Sequence, residues 1–125
     1  MRLVVDNRDH RYILDEQRLK SLQSTANTTH LEPGTYVIRI AQGAFNSCPN
    51  HEQFSPEPWA MLWIYGGRVI NKKTNVAVGE TWTSLNGYGD ALILEVEETT
   101  TLCGLFLDTD TNHSGSVTLS IIQEQ

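Results

Sequence analysis

From Gly34 to Ile122 the chain is a succession of runs in which apolar side chains return at every second position, the spacing of strands with one face buried. Tyr36, Ile38 and Ile40 alternate with Val37, Arg39 and Ala41. Leu92, Leu94 and Val96 alternate with Ile93 and Glu95, and Val117, Leu119 and Ile121 with Thr118 and Ser120. Trp59, Met61, Trp63 and Tyr65 alternate with Ala60, Leu62 and Ile64, which predicts a strand covered on both faces. Gly66-Gly67 predicts a turn into Arg68–Asn71, and Val76–Val78 and Thr81–Thr83 read as short strands around Gly79. Glu97 to Thr100 reads as a hairpin into a run in which Leu102, Gly104 and Phe106 alternate with Cys103, Leu105 and Leu107. That run and the one ending at Ile122 enclose an oxygen-rich loop. Helical spacing occurs once, through Ile13, Leu14, Leu19 and Leu22, predicting a helix over 14–24 with Asp15 and Glu16 at its start and Lys20 toward its end. Residues 1–5 read as a short apolar strand, and the polar run Ser24–Thr29 separates this N-terminal part from the rest.

Many short strands with glycine-marked turns and little helix predict a mainly β protein, an antiparallel jelly-roll β-sandwich with one short N-terminal helix. We read 1–125 as one domain, with 1–30 an accessory strand and helix and 34–122 the β-sandwich. A chain of 125 residues is long enough for one core without a disulfide staple. Fifteen acidic against nine basic side chains disfavour a nucleic-acid backbone or an anionic bilayer as partner. No apolar run reaches the roughly 20 residues of a membrane span. The start at Met1 without a leader sets the expectation of a cytoplasmic protein with Cys48 and Cys103 as free thiols.

Chemistry concentrates in the last loop. Asp108, Asp110, Thr111 and Asn112 place carboxylate, hydroxyl and amide oxygens within one turn, a donor set suited to calcium, which takes six to eight oxygens, roughly. The later glutamate and flanking helices of an EF-hand are missing, so that motif is rejected. Cys48, His51, Cys103 and His113 could suit zinc only if the fold assembled them, and their spacing matches no zinc knuckle. No nucleophile motif or paired metal-binding histidines announce an enzyme. Among the aromatics, Trp59 and Trp63 share strand parity with Met61 and read as core. Trp82 and Tyr88, beside glycine-rich turns, are the ones free to stack on a sugar ring or meet another subunit.

The run Gly34–Phe45, the proline-containing loop after it, Asp108 and the ending Asn112–Ile121 resemble the PA-IL-like bacterial galactophilic lectins, over roughly residues 34–121. The resemblance implies a jelly roll that binds galactose through one calcium ion. It assigns Asp108 as the ligating aspartate, Asn112 as the first ligating asparagine and Ser47 as a backbone carbonyl donor. Asp110 or Thr111 would stand in for the family's threonine, and His113 occupies the second asparagine position. The family's sugar-contacting segment falls on Ser55-Pro56-Glu57-Pro58, which marks Ser55 and Glu57 as ligand contacts. The runs Leu19–Ser24 and Trp59–Gly67 also resemble small uncharacterised cyanobacterial proteins, which implies no activity.

The expectation is therefore a non-enzymatic, calcium-dependent carbohydrate-binding module. The alternative is a structural or protein-interaction β-sandwich that binds no sugar and either self-associates or docks on a partner.

Overall fold

The computed structural model of the chain describes residues 1–46, 55–108 and 114–124. Among these described residues one helix, α1 (Glu16–Thr25), precedes seven strands: β1 (Asn27–Leu31), β2 (Gly34–Asn46), β3 (Trp59–Asn71), β4 (Val76–Asn86), β5 (Ala91–Glu98), β6 (Thr100–Leu105) and β7 (Ser114–Glu124). All seven strands join in one antiparallel sheet of order β1-β6-β3-β5-β2-β7, with β4 on the other edge of β3. Only Thr99 separates β5 from β6, and both run against β3, β6 along Met61–Tyr65 and β5 along Arg68–Asn71. In the same way Glu32 and Pro33 divide β1, paired with β6, from β2, paired with β5.

These interruptions lie side by side with a register shift in β3 between Tyr65 and Val69, and the sheet turns over along that line. The result is a half-barrel. A bulge strengthens local twist and bends a strand, which is what a sheet needs to curl over its own core. Gly67 sits on the fold line because the crossing strand leaves no room for a side chain there. A Cβ at that position would lie 2.3 Å from the Thr99 carbonyl oxygen and 2.5 Å from that of Glu98. Thr100, buried at the same place, donates its hydroxyl to the Tyr65 carbonyl at 2.8 Å and ties β6 to β3.

Strand parity puts Tyr36, Ile38, Ile40, Leu92, Leu94 and Val96 on the inner face, opposite Leu31, Leu62, Ile64, Leu85 and Leu102, all in one buried cluster. Val117 and Leu119 of β7 pack against its rim and stay partly open. On the outer face Trp63 is 2 % exposed, stacked parallel to Trp82 at 5.0 Å and to Tyr65 at 4.2 Å, with Cys103 fully buried beside it. Its Nε1 has no hydrogen-bond partner among the described residues. Burial raises the pKa of the Cys103 thiol, while the hydrogen bond with Tyr65 opposes that rise. Burial raises the Tyr65 pKa, and Gln23 of α1, beside its side chain, opposes that rise.

Several elements differ from the periodicity reading. Residues 1–5 form no strand and are wholly exposed: the apolar run pairs with no strand of its own sheet. The polar run after the helix contains β1, whose only buried residue is Leu31, so no alternation betrays it. Gly66-Gly67 and Gly79 do not end strands; β3 and β4 run through them. Glu97 to Thr100 makes no hairpin, since β5 and β6 pair with β3 rather than with each other, and the runs on either side of the last loop pair with different strands, β6 with β1 and β3 and β7 with β2. The helix begins at Glu16, capped by Asp15, whose carboxylate accepts from the Arg18 amide at 2.9 Å. Lys20 lies in its middle and pairs with Glu16 at 3.7 Å, leaving no basic residue in the last turn.

Candidate functional site

Two strand ends, those that border the proline-containing loop and the oxygen-rich last loop, position the site. β2 ends at Asn46 and β7 begins at Ser114, and these two residues are register partners. The segments 47–54 and 109–113 therefore leave the sheet at adjacent points. Gly115 makes this pairing close: its φ is 132°, and a Cβ there would lie 2.3 Å from the Ala44 carbonyl oxygen. One residue before Asn46, Phe45 stacks on Phe106 with ring centroids 4.2 Å apart. Trp59 meets both rings edge-on, at 5.7 Å and 5.5 Å. This triad forms an apolar cluster at the strand ends, with Asp108, two residues past Phe106 and exposed, at the same end of the sheet.

A second set of contacts ties the neighbouring turns to that cluster. Glu57 bridges Phe45 through both backbone groups, at 2.7 Å and 3.0 Å, and its carboxylate lies 3.5 Å from the Asn86 amide nitrogen. Gly87 donates its backbone N–H to the Pro58 carbonyl at 2.6 Å. The Tyr88 hydroxyl donates to the Gly43 carbonyl at 2.8 Å, which fixes the ring while leaving it 53 % exposed. Asp90 closes the turn, its carboxylate accepting from the Asn86 N–H at 3.0 Å with Lys73 Nζ at 3.4 Å. The backbone donor first, and the lysine charge after it, hold the Asp90 carboxyl below its ordinary pKa.

Of the residues singled out from the sequence, the fold brings Glu57, Tyr88 and Asp108 to this end, with Ser55 exposed in the segment leading to Glu57. Ser47, Asp110, Thr111 and Asn112 lie outside the described residues, as do Cys48, His51 and His113. Trp82 stands apart, on the outer face opposite Trp63 in the middle of β3, 37 % exposed. Trp59, read as core, is instead half-buried at the site's edge. The residues that sequence reasoning missed are Phe45 and Phe106, which sit in separate runs and meet only because β2 and β6 face each other across the fold. Among the described residues no three His, Cys, Asp or Glu side chains converge as a metal cluster, and no helix is long and apolar enough to cross a membrane.

Comparison with family models, with curated proteins and with solved structures finds no match for the chain.

Proposed function

We propose that the chain is a non-catalytic binding domain that holds calcium between the loops 47–54 and 109–113 and presents it to a polyol, a carbohydrate being the class that the lectin resemblance implies. The observation that carries this reading is the junction of loop borders: Asn46 paired with Ser114, and Phe45 stacked on Phe106 two residues before Asp108. A hard cation needs oxygens from chain segments that meet in space. Asp108, Asp110, Asn112, the Thr111 hydroxyl and the Ser47 carbonyl would supply part of its shell, and ligand hydroxyls would complete it. The exposed Tyr88 ring and the Glu57 carboxylate border the same end, one offering an apolar face to sugar C–H groups and the other an acceptor. The jelly-roll sandwich belongs to the same reading, the turned-over sheet supplying its two layers. Calorimetric titration of calcium into chelator-treated protein tests it. Stoichiometric binding, abolished by Asp108→Ala and followed by calcium-dependent binding of a galactoside, is expected; heat no greater than dilution in both proteins rejects it.

A further inference from the structure

The half-barrel is closed on one side, where β3 and β4 run through the fold, and open on the other. Along the open side a groove of about 690 Å³ separates β1 and β6 from β7, lined by Asn27, Thr29, Leu102, Gly104, Val117 and Leu119. Both strands bordering it are edges: among the described residues β1 pairs only with β6 and β7 only with β2. Neither carries a proline or a lysine, and β7 leaves Ile121 and Ile122 37 % and 58 % exposed. Proteins blunt exposed strand edges with such residues or cover them, so edges this bare call for a cover.

The chain also carries a segment with the opposite deficit. Residues 1–13 are all exposed, including Met1, Leu3, Val4, Val5, Tyr12 and Ile13. The helix that follows has ten residues and none buried, which is too short to be stable unsupported in water. The net charges are also of opposite sign: residues 1–11 hold three arginines against two aspartates, while the remainder holds six basic against thirteen acidic side chains. Five extended residues span about 17 Å, the length of the five-residue β1 edge.

We infer that residues 1–5 of one chain enter the groove of a second copy, adding a strand to the free edge of β1 and burying Leu3 and Val5 against Val117 and Leu119. Because residues 1–5 are exposed and unpaired in their own chain, the acceptor is a neighbour and the exchange is reciprocal. One end of the groove reaches Phe106 and Ser116 beside the loop borders, but the strand pairing itself needs neither metal nor sugar.

The test is the mass of the full chain in solution by light scattering at tens of micromolar, together with directed crosslinking. Wild type should show twice the 14.1 kDa of one chain. Leu3→Asp/Val5→Asp should be monomeric with unchanged tryptophan fluorescence, its association at least about a hundredfold weaker. In a Cys48→Ser background, an equimolar mixture of Val4→Cys chains and Thr28→Cys chains should form a disulfide-linked pair. A monomeric wild type, a dimer indifferent to the arm substitutions, or a crosslink that forms only when both cysteines share one chain would overturn the inference.

Discussion

Replacing Gly67 with alanine probes the line along which the sheet turns over. The added methyl would lie 2.3 Å from the Thr99 oxygen, 2.5 Å from the Glu98 oxygen and 2.8 Å from the Thr99 carbonyl carbon, all backbone atoms that cannot swing aside as a side-chain tip does. To reach ordinary contact the crossing strand must retreat by about 1 Å, at the point where Arg68 pairs with Glu98 and Thr100 ties β6 to β3. Overpacking of this kind costs typically 1–3 kcal/mol, and we place Gly67→Ala near the top, at about 3 kcal/mol. For a chain of this size that lowers the melting temperature by about 10 °C. Gly79→Ala is the matched control. There the methyl would meet only the Gly67 carbonyl oxygen, at an ordinary 3.6 Å, so its stability should change by less than about 1 kcal/mol. Urea unfolding followed by tryptophan fluorescence measures both variants. If Gly67→Ala fell within about 0.5 kcal/mol of wild type, the strands would not cross this closely and the turned-over sheet would be wrong.

Other consequences concern the core, the turn beside the site and the outer face. Leu62→Ala removes a fully buried side chain from the inner face and should cost about 2–5 kcal/mol in the same urea assay. Because the folded Asp90 pKa lies below its ordinary 3.8, its ionised form stabilises the fold above that value, and this contribution disappears as pH falls through the folded pKa. Asp90→Asn should therefore melt lower than wild type at pH 7, with the two curves converging below pH 3.8. The buried Cys103 thiol should resist a water-soluble thiol reagent in the native protein and react fully in denaturant, and reaction at equal rates in both would contradict its burial.

Strands whose inward positions are uniformly apolar, such as Tyr36-Ile38-Ile40 and Leu92-Leu94-Val96, were readable because parity alone states which face is buried. β1 was not, since Asn27-Thr28-Thr29-His30 is held by backbone pairing with β6 and contributes only Leu31 to the core. The apolar run at residues 1–5 reads as a strand for the complementary reason: propensity makes a segment fit for a strand, and only pairing with a neighbour makes it one. Glycines at 66, 67 and 79 read as turns, yet in β3 and β4 Gly67 admits a neighbouring backbone rather than ending a strand. The last loop is recognisable as oxygen-rich, and the loop after β2 as proline-containing, from composition. That their borders adjoin, through Asn46 with Ser114 and Phe45 with Phe106, is a property of pairings between residues more than 60 positions apart, which local spacing does not encode.

The most direct test of calcium held between those loops is terbium luminescence excited through tryptophan, because the lanthanide occupies calcium sites and Trp59 stands beside the loop borders. Sensitised emission that saturates at one ion per chain, is displaced by calcium and is lost in Asp108→Ala is the predicted result. No sensitised emission, or emission that survives both calcium and Asp108→Ala, would contradict it.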